Sequence, residues 1–214
     1  MLKKIINTTA RLTPILVLLL LSLFCSPAFQ FDAAQAQTAM VAPASQQAKP
    51  LVLYYTLTGK NKIIAEELKK HFSCDSGEIK TASERSGIWG FVVSGFENVF
   101  DKDAELQPFT MDLTAYNPII ICTPIWMQKI SSPARTFLKN PALKGKDLYL
   151  FASFNGHWGE DKETELKKDL AEKGIHLKGV YRMVIGGKTE DEIKKDVAKQ
   201  LEKKPILKKQ AKTP

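Results

Sequence analysis

Short apolar runs and amphipathic stretches alternate along most of the chain. Residues 51–55 (LVLYY), 118–122 (PIIIC) and 148–151 (LYLF) are β-prone runs suited to strands buried on both faces. Residues 77–81 and 180–185 give two further strand candidates, the first a weak one. Between these runs the apolar residues fall four apart, as in Ile64, Leu68 and Phe72, in Leu166 and Leu170, and in Ile193, Val197 and Leu201. That spacing predicts helices with one buried stripe each. Ser132 and Pro133 suit a helix start leading to Phe137 and Leu138. An acidic first turn from Glu160 and a stop at Gly174 bound the next helix, and Thr189 to Glu192 reads as a capping box for the last.

Strands and helices in this alternation predict an α/β fold, a doubly wound five-stranded parallel sheet with helices on both faces. Ligands of such sheets sit beyond the carboxyl ends of the strands. Residues 87–100 (GIWGFVVSGFENVF) are apolar around most of a helical circumference. The expectation is a helix packed on the sheet with further cover from its surroundings; the alternative is an exposed patch for a partner or a membrane.

The N-terminus has the layout of an export signal. Lys3, Lys4 and Arg11 precede an apolar run at residues 15–24, broken only by Ser22, and Ala34-Gln35-Ala36 fits cleavage after Ala36. The run is shorter than the ~18–20 residues of a membrane span, so an uncleaved anchor is the minority reading. The expected organisation is a signal peptide at 1–36, a flexible leader at 37–49, one domain at 50–203 and a basic disordered tail at 204–214. The expected location is periplasmic or otherwise outside the cytoplasm.

The whole chain carries a formal net charge of +8. Cleavage removes three basic residues and one acidic residue, leaving 178 residues at +6. Five lysines fall in the last twelve residues. Such a tail is ordinarily just solvated, with weak contact to a membrane surface as the minority role. Nucleic acid is not an expected partner of an exported protein. Cys74 and Cys122 remain in the processed chain, one after a helix and one within a strand. They are expected to be buried, unpaired thiols.

Three loops hold the candidate chemistry. Thr56, Leu57, Thr58, Gly59, Lys60 and Asn61 lie between the first strand and its helix. Hydroxyls, a glycine, a lysine and a helix N-terminus are the ingredients of a phosphate site, although an ordinary capped helix start has much the same composition. The spacing is neither GxxxxGK[ST] nor GxGxxG, which favours a monophosphate. Thr56, Thr58 and Gly59 resemble the phosphate loop of the flavodoxin family, Ser/Thr-x-Thr-Gly-x-Thr. Asn61 replaces its last threonine and Lys60 is atypical; asparagine keeps a hydrogen-bond donor there.

The second loop follows the PIIIC run and contains Pro124, Ile125, Trp126 and Met127. The stretch from Tyr116 to Leu138 is similar to the matching part of flavodoxin-like oxidoreductases, with their Pro-x-Trp or Pro-x-Tyr and a helix ending in Phe-Leu. The third loop is Phe154, Asn155, Gly156, His157, Trp158 and Gly159.

The resemblance implies that the first loop takes the phosphate of flavin mononucleotide (FMN). It implies that the second runs beside the reactive edge of the ring, and that the third holds the pyrimidine end under His157 or Trp158. It spans about residues 51–202. It implies an FMN-binding electron-transfer protein or oxidoreductase with a redox partner protein or a small electron acceptor. No catalytic acid–base residues and no metal are expected. Two other readings stay open: an exported binding module on the same fold without the flavin, and a flavin-dependent reductase of nicotinamide or quinone.

Overall fold

A computed structural model of the protein describes residues 49–85 and 87–206. The expected signal peptide, nearly all of the leader and the end of the basic tail lie outside the described residues. The order along the chain is β1 (Lys49–Tyr54), α1 (Lys60–Phe72), β2 (Asp75–Glu78), α2 (Gly87–Val99), β3 (Tyr116–Trp126) and β4 (Lys129–Ile130). It continues with α3 (Ser132–Phe137), β5 (Asp147–Phe154), α4 (Glu160–Glu172), β6 (His176–Val184) and α5 (Glu190–Lys203).

Five strands pair in parallel in the order β2-β1-β3-β5-β6. The expected count of five is one short. The sixth strand, β4, pairs antiparallel with the end of β3, Ile125 opposite Ile130 and Trp126 opposite Lys129. The PIIIC strand therefore runs four residues further than its apolar core suggests, and the predicted second loop is largely a hairpin. Its two-residue turn, Met127 and Gln128, has φ of 48° and 64°. Positive φ at both central positions matches the twist of the flanking strands, a geometry usually filled by Asn-Gly.

The side-chain period of two sorts the strands onto two cores. Leu51, Leu53, Ile119, Ile121, Leu148 and Leu150 face α3 and α4, where Phe137, Leu138 and Leu170 meet them. Val52, Ile120, Cys122, Phe151, Tyr181 and Met183 face α1 and α5, packing on Ile64, Leu68, Ile193, Val197 and Leu201. Each such side chain contributes about 1.5–3 kcal/mol on burial, so the central strands carry most of the stability. The capping box at Thr189 and Glu192 is formed. Cys74 and Cys122 are buried free thiols, and burial alone pushes the Cys122 thiol well above its ordinary value.

Two features depart from the sequence expectation. The chain stays docked beyond α5: Tyr181 Oη donates to Lys204 O at 2.6 Å, Tyr149 Oη donates to Ile206 O at 3.1 Å, and Ile206 is buried. Residues 204–206 thus belong to the domain, although the basic tail was expected to begin there. The second departure is α2, which packs the opposite way round. Gly90, Ser94 and Asn98 face inward, while Ile88, Trp89, Phe91, Val92, Phe96 and Val99 face solvent. A polar network supplies the attachment. Arg85 makes a two-pronged pair with Glu97 at 2.6 and 2.8 Å, and Ser132 Oγ donates to the same carboxylate. Asn98 Nδ2 donates to Trp126 O at 2.9 Å.

Candidate functional site

The carboxyl ends of β1, β3 and β5 lie side by side, with Tyr54 beside Cys122 and Pro124 beside Ser153. Whatever follows each strand must then share one end of the sheet. A cleft of about 600 Å³ opens there, within the usual range for small-molecule sites.

Twelve of the sixteen expected residues line it: Leu57, Thr58, Lys60 and Asn61; Pro124, Ile125, Trp126 and Met127; and Phe154, Asn155, Gly156 and His157. Thr56, Gly59, Trp158 and Gly159 do not. Phe91, Ser94 and Gly95 of α2, together with Gln128, Ser153 and Ile185, also line it and were not anticipated. The α2 residues escape a sequence reading because nothing local shows that this helix crosses toward the strand ends. Gln128 is an unremarkable polar residue whose role depends on its turn.

The first loop leads into a helix N-terminus that the chain itself leaves uncapped. Gly59, at φ 83°, takes the N-cap position of α1, and no side chain caps that end. The first turn has no carboxylate, whereas α4 and α5 each begin with three. The helix dipole and its free N–H groups are therefore uncompensated at α1 alone among these three helices. Thr56 Oγ1 and Asn61 Oδ1 are buried here without a hydrogen-bond partner among the described residues. Unsatisfied buried polar atoms cost about 1–3 kcal/mol each; of these two residues only Asn61 lines the cleft, and its Oδ1 accepts, so it calls for a donor. Lys60 lines the same corner, and its Nζ donates to Ile185 O at 2.7 Å.

The facing walls are apolar and tied together. Trp126 lines the cleft and meets Tyr55 edge-on at 6.0 Å between ring centroids. Gln128 bridges to the third loop: its Nε2 donates to His157 O at 2.8 Å, and its Oε1 accepts from Gly159 N at 2.9 Å. Trp158, expected as a cover for a ligand, is instead buried behind the wall. Its Nε1 donates to Gln128 O at 3.2 Å, and the Arg182 guanidinium lies 5.1 Å over its ring. An aromatic ring at that position gains more from the core under α4 than from the cleft. Of the two candidates, the exposed His157 is the one at the opening.

These elements define a flavodoxin-like α/β fold with a cleft at its strand ends. The fold is shared with solved proteins. An inferred flavoprotein of Bacteroides eggerthii is 24% identical, with a TM-score of 0.58 over 72% of this chain and 96% of that chain. A flavoprotein of Lactobacillus acidophilus in complex with FMN is 21% identical, with a TM-score of 0.54 over 63% of this chain and 93% of that chain. An inferred flavoprotein of Bacteroides uniformis is 23% identical, with a TM-score of 0.58 over 71% of this chain and 98% of that chain. No protein-family model matches the sequence, and no curated protein matches it.

Proposed function

We propose that the protein is an FMN-binding flavodoxin-like protein that transfers electrons outside the cytoplasm, to or from a redox partner protein or a small acceptor. The observation that carries this reading is the meeting of all three predicted segments in one cleft, with an anion-ready corner and an aromatic wall. Thr58, Lys60, Asn61 and the first-turn N–H groups of α1 would hold the phosphate. Trp126, with Asn155, Gly156 and His157 across the cleft, would hold the ring. The bound flavin supplies the redox chemistry, and the protein supplies placement and electrostatics. Micromolar binding requires about −8 kcal/mol, more than a helix terminus or one aromatic contact provides, so the segments must act together. The solved Lactobacillus acidophilus complex supports the assignment by its fold and its ligand.

Export and partner identity rest on the N-terminal sequence and on this reading of the cleft. A chain exported unfolded acquires its flavin after folding, so the processed chain from Gln37 should bind added FMN directly. Titration of FMN into that chain is expected to quench the flavin fluorescence at a one-to-one ratio. Unquenched fluorescence would replace this reading with that of a binding module on the same fold, for which the bond from Lys60 to Ile185 O would be purely structural.

A further inference from the structure

Helix α2 keeps its polar face in and its apolar face out. Ile88 is 85% exposed, Trp89 73% and Phe100 61%, with Phe91 and Phe96 close to half. Aromatic side chains offer ~150–250 Å² each, so the four rings alone leave roughly 450 Å² of apolar surface in water. Patches of this size on single chains are often functional. The orientation is fixed from within by Arg85, Glu97, Ser132 and Asn98, and none of those contacts involves the outer side chains.

The chemistry of the outer face selects its occupant. Glu97, the only ionisable residue in α2, is turned inward onto Arg85, so the outer face carries no formal charge of its own and offers no ion pair to a protein partner. At 13 residues the helix is about 20 Å long, and no described helix is long and apolar enough to cross a membrane. A short helix with Trp and Phe on one side fits the plane of a lipid surface. Lys102 Nζ lies 4.9 Å from the Phe96 ring at one end of the helix, placed to reach headgroups while its stem stays on apolar surface. The net charge of +6 that remains after cleavage favours anionic lipid over a zwitterionic surface.

We propose that α2 is an in-plane contact element for an anionic lipid bilayer. Phe91 and Gly95 also line the cleft, and Met127 is 66% exposed at its rim, so seating α2 turns the mouth of the cleft toward the lipid. This rests on α2 and its setting, whether or not the cleft holds a flavin. A second copy of the chain is the competing occupant. Standard protein interfaces engage about 20–30 residues a side, whereas this face is one ridge flanked by the Lys129–Asp101 and Lys139–Asp103 ion pairs.

The test reads the depth of Trp89 rather than binding, because residues 15–24 can bring the full chain to vesicles unaided. The full chain is mixed with vesicles of phosphatidylglycerol and phosphatidylcholine, with and without brominated acyl chains. Tryptophan emission is expected to shift to the blue and to be quenched by the brominated chains. Trp89→Phe, at an exposed position, should remove most of both changes and leave only what Trp126 at the cleft contributes. Vesicle-bound protein whose Trp89 emission stays that of a water-exposed ring overturns the proposal. So does emission already blue without lipid that moves to the red on dilution, which identifies a second copy as the occupant.

Discussion

Replacing Thr58 with aspartate puts a carboxylate at the mouth of α1 without disturbing the core. Thr58 is exposed, it lines the cleft, and it immediately precedes the uncapped helix start at Gly59. Two unit charges 5 Å apart near a protein surface, at an effective dielectric constant of about 20, repel by about 3 kcal/mol. A phosphate carrying about −1.5 charges raises that to about 5 kcal/mol. Water at so exposed a position screens roughly half, leaving about 2–3 kcal/mol, or a 30- to 150-fold loss of affinity. Riboflavin has the same ring and no phosphate, and it serves as the internal control. Fluorescence titrations of both ligands into the parent chain and Thr58→Asp should show FMN binding falling by that factor while riboflavin binding stays within about threefold. An equal loss for both ligands, or none for either, would refute the placement of the phosphate at this loop.

Three further outcomes follow from the fold. Arg85→Ala strands the buried Glu97 carboxylate and should cost about 3–5 kcal/mol in urea denaturation; Glu97→Gln, which removes the charge, should cost less. Gln128→Ala removes two hydrogen bonds between the second and third segments and should lower stability by about 1–3 kcal/mol, with Trp158 emission moving to the red as the wall loosens. Burial pushes the Tyr181 phenol from its usual 10.0 up to about 12, so the fold favours the neutral form. Its contribution to stability is complete below pH 10 and is lost as pH rises through 12. The urea midpoint should fall across that window, and Tyr181→Phe should make the fall shallower.

The sheet was legible because burial on both faces leaves a plain mark: Leu51 to Leu53 and Ile119 to Ile121 have no polar interruption, and all six are fully buried. The three loops were legible because the doubly wound topology forces everything after β1, β3 and β5 to one end. The orientation of α2 was not. A helix apolar on every side does not say which side is inward, and the pattern that decides it, Gly90, Ser94 and Asn98 at four-residue spacing, reads as a gap rather than a contact stripe. The place of Trp158 was missed for a related reason. Its neighbours Phe154 and Arg182 come from different strands, and only the tertiary structure sets the guanidinium over both rings. Residue 204 looked like the start of a solvated tail because lysine dominates the composition there, whereas two tyrosine hydroxyls hold the backbone at Lys204 and Ile206.

The Gln128 bridge also bears on how a guest comes and goes. With both segments clasped through one side chain, and with Trp158 wedged behind them, neither can swing aside alone. The fixed jaw they form also holds α2 through Asn98 and Trp126 O, whereas Leu57 and Thr58 line the cleft with no side-chain hydrogen bond to it among the described residues. Residence time should therefore respond to changes at Leu57 and Thr58, while alterations in the jaw shift the melting point first.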